Sequence, residues 1–263
     1  MNTWIRFCAV PVAGLAVLLS GCASFQPDTT MPTTVVASPN QDARQATMVV
    51  IHYTTNDDAT DSLQTLTSPV RKVSAHYLID RQGGLYQLVP ENRRAWHAGQ
   101  AYWTGVTDIN SVSLGIEIDN AGNAPFEGAQ IATRLNLLAD IQTRHKIRAA
   151  NVVGHADVSP GRKVDPGPYF PWQRLAQAGF GLWCDQPIPD PDATVDVSAL
   201  LVQLGYDPRL PDSSRAAFRE HYLAKGDGTT VQDEALERAM ARCLLEQRNQ
   251  VRPGGVPDMT LFR

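Results

Sequence analysis

The sequence predicts an α/β fold: a mixed central β-sheet flanked by helices, followed by a small three-helix domain. Two observations carry this reading. Short apolar runs of strand length alternate with segments of helical period over residues 45–182, the pattern of helices packed on a sheet. The composition then breaks at "CDQPIPDPDATVD", with four acidic residues and three prolines, and only helix-like segments follow it.

Each element has its own signal. "TMVVIHYT" is a short apolar run suited to a buried strand. "SAHYLID" and "LYQLV" flank Arg81-Gln82-Gly83-Gly84, a hairpin turn signal. "SVSLGIEI" alternates, with Val112, Leu114, Ile116 and Ile118 on one face. "AQIATRLNLLADIQTRHKI" sets Ile131, Leu135 and Leu138 at helical spacing, with Ile141 beside them. "ANVVGH" reads as a further buried strand and "PYFPWQRLAQAGF" as a short helix after a proline-rich loop. Beyond the break, "VSALLVQLGYD" is a helix with Gly205 as its stop. "SSRAAFREHYLA" carries Phe218 and Tyr222 one turn apart, and "VQDEALERAMARCLLEQ" aligns Leu236, Met240, Cys243 and Leu244.

Apolar residues make up 43% of the 263-residue chain and charged residues 19%, enough for a sizeable core. The net charge of −4 argues against a nucleic-acid partner. At the N-terminus, Arg6 precedes an apolar stretch from Phe7 to Leu19 that Pro11 interrupts, the pattern of a secretory signal and not of a spanning helix. The expected organisation is a signal over 1–21, a tether over 22–44, an α/β domain over 45–182, a linker over 183–195, a helical domain over 196–250 and a tail over 251–263. The tether is rich in Pro, Thr, Gln and Ser without periodicity. Cys184 and Cys243 form an even pair outside the signal, suited to an oxidising compartment. Whether they join is left open by the sequence.

The chemistry concentrates in "VVGHADVSPGRKVDPGPYF", residues 152–170, where Lys163 and Asp165 follow His155 in a loop stiffened by three prolines. His52 and His155 both end apolar strand-like runs. If those strands are neighbours, both imidazoles leave the same edge of the sheet, and Asp165 can fold back to the same point. Two imidazoles and one carboxylate suit Zn²⁺ and leave a fourth position for water. Glu117 lies on an alternating strand whose neighbours on the same face, Ser113 and Gly115, are small, so that face can open onto a cleft. It is the candidate general base. Lys163 is the candidate cation for stabilising an oxyanion.

"VVIHYT", "SAHYLIDRQGGLYQLVPENRRAWHAG", "SVSLGIEIDN" and "VVGHADVSPGRKVDPGPYFPW" together resemble the zinc N-acetylmuramoyl-L-alanine amidases of the AmpD and AmiD type, over about residues 47–172. The resemblance implies the amidase and peptidoglycan-recognition-like fold, Zn²⁺ on His52, His155 and Asp165, and catalytic roles for Glu117 and Lys163. It implies cleavage of the amide between N-acetylmuramic acid and L-alanine of peptidoglycan stem peptides. "LLVQLGYD" and "AFREHYLA" resemble the small peptidoglycan-binding domain of AmiD-type enzymes. Leu19-Ser20-Gly21-Cys22 resembles a bacterial lipoprotein signal, which implies lipid on Cys22, and Ala23 after it points to the outer membrane, facing the periplasm. A non-catalytic recognition module and a zinc peptidase acting within the stem peptide are the rival readings.

The remaining polar residues have plainer expectations. His76 is a packed core histidine, and Tyr77 either lines the cleft or packs. His97, in "RAWHAG", borders the cleft and is not a ligand. His145 is solvated at a helix end, Asp157 caps a turn, Asp119 and Asn120 shape a loop, and His221 packs or faces solvent.

Overall fold

The computed structural model describes residues 25–43, 46–56, 58–187 and 194–250. The signal segment, Cys22 and the tail 251–263 lie outside the described residues. The first elements among the described residues are β1 (Thr34–Val35), β2 (Gln41–Ala43) and β3 (Met48–Tyr53). Helix α1 (Ala59–Thr67) leads to β4 (Tyr77–Ile79), β5 (Leu85–Gln87) and β6 (Arg93–Ala95). The short α2 (Ile109–Val112) runs into β7 (Ser113–Ile118), and α3 (Gly128–His145) follows. Next come β8 (Val152–Gly154), α4 (His155–Val158) and α5 (Trp172–Gln177). Helices α6 (Val197–Leu204), α7 (Pro211–Tyr222) and α8 (Glu234–Gln250) form the helical unit.

Six strands make one mixed sheet in the order β1-β5-β4-β7-β3-β8. β3 pairs in parallel with both β7 and β8. β4 is parallel to β7 and antiparallel to β5, across the expected hairpin. A strand covered on both faces needs no polar alternation, which is why "MVVIH" reads as one apolar run. Val49 and Ile51 share a core with Leu114, Ile116 and Ile118 and with Ile131, Leu138 and Ile141 of α3. Met48 and Val50 share the other with Ala98, Trp103 and Val153. Val112 departs from its expected place: it sits in α2 and packs against this second core.

The segment expected to be a tether is docked where it is described. β1 extends the sheet beyond β5, and β2 pairs with β6. The Ser38 hydroxyl donates to the Leu66 carbonyl at 2.9 Å, and the Asn40 amide donates to the carbonyls of Ser68 and Val73 at 3.0 and 2.9 Å. The Asp28 carboxylate accepts from the Gln87 amide at 2.6 Å and the Glu91 N–H at 2.9 Å. These contacts are backbone pairing and hydrogen bonds of polar side chains, so apolar periodicity carried no sign of them.

The helical unit is not a separate bead. Leu201, Tyr206, Phe218 and Leu244 belong to the same apolar cluster as Met48, Val50 and Val153 of the sheet. Trp103 meets Tyr206 edge to face with ring centroids 5.0 Å apart. Cys184 and Cys243 are disulfide-bonded, with their Cα atoms 6.1 Å apart, tying the start of the linker to α8.

Candidate metal and catalytic site

His52 lies near the end of β3, and His155 directly follows β8, its parallel neighbour. Both imidazoles therefore emerge at the carboxyl edge of the sheet, where α/β sheets bind ligands. Asp165 reaches them because its carbonyl accepts the Ala156 N–H at 2.8 Å, which folds the proline loop back onto α4. The approach is tight: a Cβ on Gly154 would lie 2.8 Å from the Pro166 ring, so only glycine fits there.

The three candidate ligand atoms converge. His52 Nδ1 lies 2.9 Å from His155 Nδ1 and 3.0 Å from Asp165 Oδ2, and His155 Nδ1 is 3.0 Å from the same oxygen. All three residues are buried, with 1%, 2% and 6% exposure. Burial lowers the His52 imidazole to about 4, with His155 adding to the effect, so the ring is neutral at pH 7. Burial alone would raise the Asp165 carboxyl, but the imidazole nitrogens of His155 and His52 beside it outweigh this and hold it well below the usual range. His155 Nε2 stands 3.0 Å from the Ala98 carbonyl, which can only accept. With a single ring proton, that proton sits on Nε2 and a bare Nδ1 faces the cluster. Lone pairs brought this close ask for a cation between them. Ligand atoms about 2.0 Å from a tetrahedral ion stand about 3.3 Å apart, so the donor set fits a metal with a shift of a few tenths of an ångström.

Glu117 is the register partner of His52 across β7 and β3. Its Oε2 is sealed from solvent and has no hydrogen-bond partner among the described residues. Burial, with the Asp165 charge adding and Lys163 opposing, pushes its carboxyl well above the ordinary range, a setting typical of groups that trade protons. Lys163 is exposed and lines the same cleft as His52, His155, Asp165 and Glu117. All five predicted site residues are thus brought to one cleft.

Glu117 faces the cleft as expected, but Ser113 and Gly115 do not line it. They make room for His97: a Cβ on Gly115 would lie 2.5 Å from the His97 ring, and Ser113 Oγ is 3.1 Å from His97 Nε2. His97 lines the cleft, and its Nδ1 is 3.0 Å from His52 Nε2. His76 is fully buried, with Nδ1 accepting from the Gly115 N–H and Nε2 donating to the Arg93 carbonyl. Tyr77 packs in the core and donates to Glu91 at 2.8 Å. His145 is not simply solvated: its Nε2 meets Glu91 at 2.6 Å. Asp119 accepts from the hydroxyls of Thr54 and Ser62, both at 2.9 Å. Asp157 caps Gly154 N–H at 2.7 Å, as expected of a turn residue. It also accepts from Tyr206 at 2.6 Å and His221 at 2.7 Å, both in the helical unit. Nothing local in the sequence signals that link, because the partners lie 49 and 64 residues away.

A mixed sheet carrying a buried His-His-Asp cluster at its carboxyl edge, beside a carboxylic acid of raised pKa, defines a hydrolase with a site able to hold a metal ion. The profile of the family described as N-acetylmuramoyl-L-alanine amidase matches residues 42–168. The N-acetylmuramoyl-L-alanine amidase AmiD of Escherichia coli is 41% identical over 238 residues, covering 77% of this chain and 83% of the relative. The chain belongs to the N-acetylmuramoyl-L-alanine amidase family and is an enzyme of that class. The 1,6-anhydro-N-acetylmuramyl-L-alanine amidase AmpD of Haemophilus influenzae is 43% identical over 104 residues, 39% of this chain and 56% of the relative. Among solved structures, E. coli AmiD in complex with the substrate anhydro-N-acetylmuramic acid-L-Ala-D-gamma-Glu-L-Lys superposes with a TM-score of 0.67. That match has 38% identity and covers 82% of this chain and 93% of that one. AMPDH3 from Pseudomonas aeruginosa, in complex with anhydromuramic pentapeptide, gives 0.68 at 29% identity, covering 88% and 99%.

Proposed function

We propose that this amidase is a zinc enzyme that hydrolyses the amide between N-acetylmuramic acid, or its anhydro form, and L-alanine of peptidoglycan stem peptides, in wall turnover and recycling. The observation that carries the reading is the convergence of His52 Nδ1, His155 Nδ1 and Asp165 Oδ2 beside the buried Glu117 carboxyl. Those three atoms would hold the Zn²⁺, which when bound supplies Lewis-acid chemistry, polarising a carbonyl and acidifying water. Glu117 takes the proton of the attacking water and returns it to the L-alanine nitrogen as the amide breaks. The Lys163 ammonium offsets the negative charge that grows on the carbonyl oxygen. The buried histidines and the proline loop keep these groups in place.

The decisive experiment treats intact wall and anhydro-muropeptide with the metal-loaded protein and weighs the products. An amidase frees a peptide with L-alanine at its N-terminus. Fragments cut within the peptide would replace this reading with a peptidase, and wild-type protein that never retains zinc would remove the metal.

We also propose that Cys22 is lipidated and anchors the enzyme to the outer membrane, facing the periplasm. The Leu19-Ser20-Gly21-Cys22 pattern supports this. A Cys22→Ser protein that was still processed and still pelleted with membranes would refute it. The resemblance of the helical unit to wall-binding domains supports a role in holding the enzyme to peptidoglycan.

A further inference from the structure

The pair His97–Ala98 touches both candidate histidine ligands at once. The His97 ring meets His52 Nε2 at 3.0 Å, and the Ala98 carbonyl meets His155 Nε2 at 3.0 Å. Both residues hang from one side chain: Asn110 Oδ1 accepts the His97 N–H at 3.0 Å and the Ala98 N–H at 2.8 Å. Asn110 is buried, at 7% exposure, in the four-residue helix before the Glu117 strand.

The direction of the hydrogen bonds can be read from the end of the chain. Ser113 Oγ lies 2.6 Å from the Ile109 carbonyl, which only accepts, so the hydroxyl proton points there. The Ser113 oxygen must then accept from His97 Nε2–H, at 3.1 Å. With its one ring proton on Nε2, His97 presents a bare Nδ1, and that atom accepts from His52 Nε2–H. On the other side, the Ala98 oxygen calls for a proton on His155 Nε2. Arg162 Nη2 stands 3.3 Å from that nitrogen and also donates to the Ala98 carbonyl. A lone pair on Nε2 would face the Ala98 oxygen at 3.0 Å, so the proton stays on the ring. Both histidines therefore present Nδ1, the atom that faces Asp165.

We infer that Asn110 is a positioning residue: it holds the His97–Ala98 pair so that both ligand histidines keep the Nε2–H tautomer and aim Nδ1 at one point. This deepens the zinc reading and rests on it for its consequence, tight metal binding. Outer-sphere partners of this kind are worth about 10–100-fold in metal affinity.

The test uses the mature chain, with Asn110→Ala, Asn110→Asp and His97→Leu variants. The ¹⁵N shifts of the histidine rings are read in metal-free protein, and zinc affinity by chelator competition. Wild type should show Nε2–H on His52 and His155. Asn110→Ala should mix the tautomers of both and weaken zinc about 10–100-fold. Asn110→Asp keeps an acceptor for both N–H groups and should restore both readouts. His97→Leu should alter His52 alone, leaving His155 on Ala98, and it serves if Asn110→Ala fails to fold. A folded Asn110→Ala protein with wild-type tautomers and zinc affinity would overturn the inference, as would His97→Leu with an unchanged His52. Failure of the zinc reading looks different: wild type would bind no zinc, while the ring shifts would still report the tautomers.

Discussion

His52 and Glu117 face each other across the parallel β3–β7 pair, so both side chains leave the same face of the sheet. Only His52 belongs to the cluster that converges with His155 and Asp165. The pair therefore separates metal holding from proton transfer. Glu117→Gln keeps the shape and removes the proton acceptor. Zinc content should match wild type, and turnover should fall about 10²–10⁴-fold. His52→Ala should lose both. Metal analysis and turnover on the same preparations check this, and a Glu117→Gln protein that lost zinc would make Glu117 a support of the metal.

Lys163→Ala should also spare the metal, because its ammonium reaches the cleft from an exposed position and lies outside the three-atom cluster. Loss of oxyanion stabilisation should cost about 10²–10³-fold in turnover. Lys163→Arg keeps the charge and should recover part of it. Equal activity in the alanine and wild-type proteins would remove Lys163 from the chemistry.

Asp157 joins the turn that carries His155 to the helical unit through Tyr206 and His221. Asp157, Tyr206 and His221 are all buried, at 1%, 1% and 4% exposure. Asp157→Ala would strand three donors, each costing on the order of 1–3 kcal/mol when buried without a partner. A large drop in the urea midpoint should follow. Unfolding should remain one transition, because a single apolar cluster spans both units. Two separate transitions in the wild type would show that the units are energetically independent.

The Cys184–Cys243 bond closes a long loop, its cysteines 59 residues apart in sequence. Loop-closure entropy at that length is worth about 4 kcal/mol. Cys243→Ser should lower stability by an amount of that order and leave zinc affinity unchanged, since neither cysteine belongs to the metal cluster. Calorimetry with and without reductant checks the first part, and the serine variant should no longer respond to reductant.

The Glu91 carboxylate ties β4 to the end of α3, accepting from Tyr77, Arg144 and His145. Burial raises its carboxyl, but the bonds from His145, Arg144 and Tyr77 prevail and lower it to about 2. A carboxyl depressed by folding stabilises the protein above its unfolded pKa of about 4.5, and that share is lost as pH falls through about 2. Glu91→Gln should therefore flatten the acid limb of the stability curve between about 4.5 and 2. Urea midpoints across that range test it, and parallel curves for the two proteins would count against the assignment.

Much of the α/β unit and the members of the site were legible in the sequence. β3, β7 and β8 announce themselves as buried runs or alternation, and the Arg81–Gly84 turn marks the hairpin. Histidines at the ends of two such runs, with an aspartate on a proline loop, identify donor types suited to a metal. Burial periodicity is a local property, and a single chain displays it.

What the sequence could not decide is which polar group meets which. The placement of β3 between β7 and β8, which sets His52 beside both Glu117 and His155, is a matter of long-range pairing. The docking of residues 25–43 rests on strand pairing and on polar side chains whose partners lie far along the chain. The filling of the Gly115 space by His97, and the reach of His221 to Asp157, depend on elements far apart in the chain. By itself the sequence determined the faces that must be buried and the donors available at the strand ends. The tertiary structure alone decided their partners, because a hydrogen bond is fixed by distance and direction between groups that only packing brings together.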